Sequence, residues 1–443
     1  MTDLEPKYES RLVSLGAFVR LVRTNVNFRR LWLAQIVSEI GDWFYTLAIY
    51  TLLLQLTGRA SSVGLALVLQ VLPLTFIGPT AGVVNDRVSR KRVMIVSDLV
   101  RMVVVLAMLL VRSRSTVWLI YPLLFMETIM VAFFEPARSA VIPNITPREE
   151  VMVANALASS TWSVNLTIGA TIGGLIAALL GRDAVFVLNG LSFLISALLI
   201  SRMRFQEPHA ETSSPLKLRE LVDYSPIMEG FRYIRRTPQL AATVFAKSGL
   251  LVIGSGWVLF TVMGQRVFPV RWHGLDPQRG AILAMSLLLG ARGLGSMIGP
   301  LLTARWSNQR PYKLRMGILG GYLFLALGYI GVGIAPWLWL ACLAVAVAHF
   351  GGSTIWVFST TLLQLGTKDE FRGRVFAAEL GVFMLTIASG AYFAGLFLDW
   401  GYSPRTVAVA SGVLMFIPAI VWVWANRLGS LEAKQALPGD EPA

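Results

Sequence analysis

The stretch from Gly82 to Arg92, which reads GVVNDRVSRKR, decides the fold of this chain. It places one acidic and four basic residues between two long apolar runs. Because ionised side chains cost several kcal/mol each in hydrocarbon, this stretch cannot lie inside a bilayer. We therefore expect a short cytoplasmic turn between two membrane helices.

Composition extends this prediction to the whole chain. Of its 443 residues, 55% are hydrophobic and only 14% are charged, whereas soluble domains carry about 25% charged residues. The apolar residues fall in runs of about 20, the length that spans a bilayer. The sequence predicts an all-α membrane protein with twelve transmembrane helices. Their expected bounds are 31–56, 62–84, 93–112, 116–136, 151–180, 183–203, 239–265, 280–304, 315–335, 337–364, 372–399 and 404–426.

Cysteine and histidine are scarce. The single cysteine, Cys342, allows no disulfide within the chain, and His209, His273 and His349 are far apart in sequence. We expect neither a metal nor another cofactor. The net charge of +14 would suggest nucleic acid in a soluble protein. In a membrane protein the positive-inside rule accounts for this charge, and no nucleic-acid partner is predicted.

The basic residues also predict the orientation. An even number of spans puts both ends on one side, and positive charge accumulates on the cytoplasmic side. We therefore expect a multi-pass protein of the inner (plasma) membrane with both termini in the cytoplasm. The few bases of the opposite loops are Arg59, Arg112, Arg114, Arg182, Arg266, Arg271, Arg279 and Arg405.

Polar segments divide the chain into two six-helix halves, which look like weak repeats because Ile77–Pro79 recurs as Ile298–Pro300. The predicted domains are a cytoplasmic N-terminal arm (1–30), a first half (31–204), a cytoplasmic linker (205–238), a second half (239–426) and a cytoplasmic tail (427–443).

Two acids in the first span are the leading functional candidates. Glu39 and Asp42 are three residues apart and share a helix face. Asp42 lies about 16 Å from the cytoplasmic edge of the span, close to the bilayer midplane. A carboxylate there must face water, a cationic partner or a proton. Proton coupling or binding of a cationic substrate is one interpretation, and a permanently paired structural acid is the other.

Other charged residues also fall inside predicted spans. Glu127 lies near the middle of the fourth span, where it either serves the same function or hydrogen-bonds to a neighbouring helix. Glu379 lies nearer the cytoplasmic end of its span. Lys247 and Arg292 are buried bases of the second half, and each either neutralises an anionic substrate or pairs with an acid of a neighbouring helix.

Asp98 and Arg101, in the third span, are again three residues apart. They can pair with each other, which removes most of the cost of burying two charges. They are either a self-contained structural pair or part of a gate that acts with the Asp86 turn.

Small and aromatic residues mark two further features. Gly169, Gly173 and Gly174 in the fifth span allow close packing of helices. Tryptophans within spans either pack ordinarily or line an aromatic cavity for a large amphipathic substrate. These tryptophans are Trp162, Trp257 and Trp356.

The charged turn resembles the signature between the second and third helices of the major facilitator superfamily, G-x-x-x-D-R-x-G-R-K/R. Ser89 stands where this family usually has glycine. The matching residues are Gly82, Asp86, Arg87, Arg90 and Lys91.

Further segments are similar to the branch of this family that includes enterobactin exporters and macrolide efflux pumps. The segment Gly169–Gly174 looks like the G-P-x-x-G-G core typical of the family's exporters, with Ala170 in place of proline. The other segments are Asn27–Trp32, Ser38–Trp43, Pro136–Arg138 with Ile142 and Pro143, Ala154–Leu157 and Phe371–Val375.

This resemblance implies the major facilitator fold, with two six-helix pseudo-repeats that alternate access to a central site. It favours a proton-coupled exporter (antiporter) of drugs, macrolides or siderophore-like amphipathic molecules. It also implies antiporter-like glycines at Gly169, Gly173 and Gly174. The gating residues that it implies are Gly82, Asp86, Arg87, Arg90, Lys91, Asp98 and Arg101.

Two alternatives stay open at this stage: an importer or lysolipid flippase of the same fold, and a non-transporting membrane sensor or assembly protein. An enzyme is not expected, because the sequence has neither a phosphate-binding Gly-Lys-Ser/Thr loop nor a serine–histidine–acid set. The expected partners are a small amphipathic substrate, protons and the lipid bilayer. Sodium stays open as the coupling ion, and a monomer is compatible with the sequence.

Overall fold

The chain is helical throughout its described parts. A computed structural model describes residues 15–207, 225–236, 238–271, 276–307, 310–367 and 369–435, and every regular element among them is a helix. The all-α prediction is confirmed for these residues. Parts of the predicted arm, linker and tail, at 1–14, 208–224, 237 and 436–443, lie outside the described residues. The predicted domain bounds stay a prediction.

The α-helices are numbered in chain order over the described residues. Short 3₁₀ segments lie at Met108–Leu110, Val117–Leu119 and Arg148–Glu150. The α-helices are α1 (Leu15–Thr24), α2 (Val26–Thr57), α3 (Ala60–Arg87), α4 (Arg90–Ala107), α5 (Ile120–Ile145), α6 (Val151–Leu180), α7 (Arg182–Ser201), α8 (Ser225–Arg235), α9 (Pro238–Ser248), α10 (Leu251–Arg266), α11 (Pro277–Ser307), α12 (Pro311–Ile334), α13 (Leu338–Gly366), α14 (Asp369–Asp399), α15 (Pro404–Leu414) and α16 (Phe416–Gln435).

Each of the twelve predicted spans coincides with helical chain. By length and apolar composition, ten helical stretches of the described residues are able to cross a membrane. The first and fifth predicted spans, which are not among those ten, are covered by α2 and α6. Polar side chains, including Glu39 and Asp42, lower the hydropathy of α2. Its 32 residues nevertheless exceed the length that a bilayer requires.

The fourth span extends beyond its predicted end at residue 136. Helix α5 continues through Pro136 and Pro143 to Ile145. Membrane helices tolerate proline because neighbouring groups satisfy the backbone atoms that the proline leaves unbonded. The added turns place Arg138 inside the helix bundle, where only 14% of its side chain is exposed.

The charged turn joins α3 to α4 through two residues, Val88 and Ser89. Ser89 has a φ of −55°, so this turn does not need the left-handed conformation that favours glycine. The Ser89 side chain accepts a hydrogen bond from the Arg92 N–H at 3.3 Å and caps α4. Serine therefore fits the position where the family signature has glycine.

Helix α1 packs against the protein through its apolar face. Leu21 is fully buried in one cluster with Phe28 and Ile145. Asn25 connects α1 to α2, because its Oδ1 accepts a hydrogen bond from the Phe28 N–H at 2.9 Å. Its Nδ2 donates to the Ile145 carbonyl at 2.6 Å. The arginines of α1 remain on the exposed face.

Contacts within the chain define two compact units. The first unit comprises Met1–Ala48 and Phe76–Asp223, and the second comprises Ile49–Thr75 and Tyr224–Ala443. The chain passes between the units inside α2 and again inside α3. Both helices therefore contribute residues to both units.

The hairpin between α2 and α3 is fixed within the second unit by the end of α14. Asp399 accepts hydrogen bonds from the Ala60 and Ser61 N–H groups at 2.7 and 3.1 Å. These N–H groups begin α3 and have no partner within the helix. A Cβ atom on Gly395 would lie 2.6 Å from the Ser61 Cα, so glycine permits this close approach.

Candidate functional site

Three carboxylates surround one arginine in the first unit. The Arg101 Nη2 lies 2.6 Å from the Asp42 Oδ2, and its Nε lies 3.1 Å from the Glu127 Oε1. The Arg101 Nη1 lies 3.8 Å from the Asp98 Oδ1, one turn earlier in α4. Helices α2, α4 and α5 thus meet at these four residues, which we call the carboxylate cluster. The cluster has three acidic groups for one basic group.

Most of the carboxylate cluster is buried. The Arg101 side chain is 4% exposed, and its guanidinium carbon lies 4.1 Å from the Phe193 ring centre. Asp98 is fully buried and accepts a hydrogen bond from Ser196 Oγ at 2.6 Å. Asp42 keeps 31% of its side-chain exposure. It is the member of the cluster that water or a solute can reach.

Glu39 belongs to a second network beside the cluster. It accepts a hydrogen bond from Asn165 Nδ2 at 2.8 Å. The Arg138 Nη1 lies 3.8 Å from Glu39, and the Arg138 Nη2 donates to Glu135 at 2.6 Å. Glu39 and Asp42 therefore share a face of α2, as predicted, but have different basic neighbours.

Both networks line one cavity of about 320 Å³ in the first unit. Trp43 and Trp162 meet edge to face on its wall, with ring centres 6.2 Å apart. Acidic and aromatic groups on one wall suit a cationic amphipathic solute. No three His, Cys, Asp or Glu side chains of the described residues are arranged to hold a metal ion. The cavity is lined by Glu39, Asp42, Arg101, Glu135 and Arg138, with Trp43, Phe134 and Trp162.

The sequence did not predict three polar members of this site: Glu135, Arg138 and Asn165. Ending the fourth span at residue 136 placed Arg138 in a cytoplasmic loop. The available signal was the apolar run Ala140–Ile142, which continues the helix after Arg138.

The charged turn is separate from the carboxylate cluster. Asp86 has 73% of its side chain exposed, and the Arg90 Nη2 lies 3.5 Å from its Oδ1. Arg90 also donates to the Ala140 carbonyl at 3.2 Å. Lys91 donates to the Met203 carbonyl, just after α7, at 2.7 Å. These contacts tie the turn to α5 and to the end of α7.

The remaining signature residues lie in two separate places. Gly82 and Arg87 lie in the last turns of α3, and a Cβ atom on Gly82 would meet nothing within 4 Å. Asp98 and Arg101 belong to the carboxylate cluster and not to the turn. The Asp98–Arg101 pair is not self-contained, because Arg101 lies closer to acids of two other helices. A gating role stays a prediction for all of these residues.

The glycines of α6 allow close packing against α2. A Cβ atom on Gly169 would lie 2.9 Å from the Trp43 Cβ, and one on Gly173 would lie 2.5 Å from the Phe44 Cδ1. Gly174 is also buried. Helix packing accounts for Gly169 and Gly173, and their antiporter-like role stays a prediction.

In the second unit, Lys247 has an acidic partner. Its Nζ lies 2.7 Å from the Glu379 Oε1, and both side chains are less than 5% exposed. Lys247 also donates to Thr360 Oγ1 at 2.8 Å and lies 3.9 Å from the Trp356 ring centre. Of the two interpretations of this lysine, pairing with an acid fits the structure.

Arg292 differs from Lys247. It lies at the middle of α11, and its guanidinium carbon is 4.2 Å from the Trp257 ring centre. The Arg292 Nη1 is buried and has no hydrogen-bond partner among the described residues. The structure thus distinguishes two bases for which the sequence alone allowed the same two interpretations.

Comparison with known proteins identifies the relatives of this chain. Residues 31–378 match the Major Facilitator Superfamily. The chain is 25% identical to macrolide efflux protein A of Streptococcus pyogenes over 421 residues, which cover 92% of this chain and 98% of that protein.

Two solved structures share the fold. A bacterial homologue of the human lysosomal transporter Spinster, in an inward-facing and unoccupied conformation, has a TM-score of 0.68 and 17% identity, with 94% of this chain and 98% of that chain covered. The nucleoside transporter NupG has a TM-score of 0.68 and 10% identity, with 90% and 98% covered. At these identities the likeness shows the fold alone, and the predicted major facilitator fold is confirmed.

Proposed function

The chain belongs to the major facilitator superfamily of transporters, and we propose that it is a proton-coupled exporter of a cationic amphipathic solute. One observation carries the proposal: three acids share Arg101 beside a cavity in a membrane-embedded helix bundle. The exported molecule is bound and released unchanged, so no catalytic step is assigned to the chain.

The charge of the cluster supports proton coupling. Arg101 can balance one ionised carboxylate. The negative charge of a second or third ionised carboxylate is costly in a medium of low dielectric constant. Either bound protons or a cation in the cavity can offset that charge. A proton and a cationic solute therefore compete for the same acids, and such competition is the coupling that an antiporter requires.

Asp42 is the proposed exchange residue of this cycle. It combines contact with Arg101 and the largest exposure among the three acids of the cluster. Arrival of a cationic solute from the cytoplasm displaces the Asp42 proton. Reprotonation from the other side releases the solute after the transporter has changed its access. Trp43 and Trp162 supply an apolar and aromatic surface for the body of the solute.

The outward direction is supported by the relatives of this chain. Macrolide efflux protein A is similar to it over nearly the whole length of both proteins. The distribution of basic residues supports an inner-membrane location with cytoplasmic termini. Amphipathic drugs and macrolides that carry a basic nitrogen are the proposed solute classes, and a siderophore-like molecule is the non-cationic comparison.

Energised efflux from pre-loaded cells tests this proposal. Ethidium, erythromycin and a catecholate siderophore are loaded into cells that express the wild type, Asp42→Asn or Asp183→Asn. We expect the wild type to export at least one of them and to stop when an uncoupler collapses the proton gradient. Asp42→Asn should abolish that efflux.

Asp183→Asn is the matched control, since Asp183 is an exposed acid that pairs with Arg112 outside the cavity. It should retain wild-type efflux. Efflux that survives the uncoupler would contradict proton coupling. No efflux of any compound by a well-expressed wild type would contradict export and would favour uptake or lysolipid flipping.

A further inference from the structure

The second unit contains a buried positive charge that its described residues leave without a counter-ion. We propose that Arg292 and His349 form a subsite for a carboxylate group of the transported solute. The inference rests on the proposed function in that it assumes an organic solute enters the transporter.

The position of Arg292 supports a binding role. Its helix, α11, runs from Pro277 to Ser307, so residue 292 is about 22 Å from either end, near mid-membrane. Stacking over Trp257 holds the guanidinium group in place without neutralising it. The residue keeps partial exposure, although its Nη1 is buried and unpartnered. The residue is therefore partly accessible, and its Nη1 still has hydrogen bonds to donate.

His349 supplies a second unsatisfied polar atom. It is 2% exposed, and its Nε2 has no hydrogen-bond partner among the described residues. His349 lies within electrostatic range of Arg292, and its ring centre is 6.2 Å from that of Tyr329. In the neutral ring, the tautomer that carries its hydrogen on Nε2 can donate a hydrogen bond to a ligand.

The tyrosines near Arg292 do not replace an anion. Tyr329 and Tyr50 lie within electrostatic range of the guanidinium group. The Tyr329 hydroxyl donates to the Val252 carbonyl at 2.8 Å, and the Tyr50 hydroxyl donates to Gln70 Oε1 at 2.5 Å. Both are neutral groups with other partners. They can accept weakly from the arginine but leave its charge uncompensated.

Lys247 provides the contrast within the same unit. Its buried charge is matched by Glu379 at 2.7 Å, as expected for a structural base. A buried charge with no such partner is costly, and a bound ligand of opposite charge offsets that cost. A planar guanidinium group also binds a carboxylate through two parallel hydrogen bonds. These features favour a carboxylate over a simple halide ion.

Equilibrium binding of two related dyes to the purified protein in detergent tests the proposal. Rhodamine 110 has a free carboxylate, and rhodamine 123 is its methyl ester with the same cationic ring system. Fluorescence anisotropy should show that the wild type binds rhodamine 110 with an affinity roughly tenfold or more above that for rhodamine 123. One charge-assisted hydrogen bond at a buried site has an effect of this size.

The variants distinguish a binding role from a structural role. Arg292→Gln should bind the two dyes equally while keeping its affinity for rhodamine 123, and Arg292→Lys should retain part of the preference because it retains the charge. Arg310→Gln, at an exposed arginine before α12, should match the wild type. If Arg292→Gln does not fold, His349→Gln tests the same subsite and should reduce the preference several-fold.

Equal binding of both dyes by the wild type, or absence of binding by both, would overturn the inference. An unchanged preference in folded Arg292→Gln would also overturn it. The measurement needs neither transport nor a proton gradient. Its failure is therefore separate from failure of the efflux assay, which tests the proposed export.

Discussion

Arg101 and Asp42 are in direct contact, with 2.6 Å between the Arg101 Nη2 and the Asp42 Oδ2. The contact joins α4 to α2, and it brings together two residues that are 59 positions apart in sequence. Asp98 and Glu127 approach the same guanidinium group. The electrostatic attraction of the Arg101 guanidinium group is therefore divided among three carboxylates.

Replacing Arg101 should destabilise the protein strongly. Arg101→Gln leaves three acids without their common base, and loss of one partner from a buried ion pair costs about 3–5 kcal/mol. We expect a large fall in the thermal unfolding temperature in detergent. Arg101→Lys should recover only part of the loss, because an ammonium group cannot present the planar fork that contacts two carboxylates. Wild-type stability of Arg101→Gln would show that the acids do not depend on this base.

The Lys247–Glu379 pair should be strongly non-additive. Lys247→Met or Glu379→Leu alone leaves a buried charge unpaired and should cost about 3–5 kcal/mol. The double variant removes both charges, and its stability should be close to that of the wild type or higher. Thermal unfolding of all four proteins gives the coupling energy. Two single effects that simply add would contradict a direct interaction.

Packing of α6 against α2 should make Gly173 intolerant of even one methyl group. Gly173→Ala places a Cβ atom 2.5 Å from Phe44 Cδ1, and overpacking of this kind costs about 1–3 kcal/mol. Gly78→Ala is the matched control, because a Cβ atom there meets nothing within 4 Å. It should be neutral or stabilising by up to about 1 kcal/mol through helix propensity. Equal unfolding temperatures for the two variants would contradict the close helix contact.

Asp399 should stabilise the start of α3. Asp399→Ala removes the acceptor of the Ala60 and Ser61 N–H groups, and loss of a helix cap costs about 1 kcal/mol. Asp399→Asn should cost less, since one side-chain oxygen remains. Hydrogen–deuterium exchange at the first turn of α3 measures the effect locally. Unchanged protection in Asp399→Ala would mean that other groups satisfy these N–H groups.

The sequence alone predicted the fold class and the shared helix face of two principal acids. Bilayer thickness fixes the length of an apolar span, so the spans can be located from runs of about 20 apolar residues. Every predicted span coincides with helical chain. Helical periodicity placed Glu39 and Asp42 on one face of α2, and both line the same cavity. These properties depend on local sequence and the surrounding solvent, not on which helices are neighbours.

Only the tertiary structure decided the partners of each charge. Hydropathy gives the length and depth of a helix but neither its rotation nor its neighbours. The sequence therefore paired Arg101 with Asp98, whereas Asp42 and Glu127 lie closer to it. For the same reason the sequence could not separate Lys247, which has an acidic partner, from Arg292, whose Nη1 has none among the described residues. Contacts between residues far apart in the sequence decide these pairings. The cost of a charge in a membrane depends on the side chains that packing brings to it.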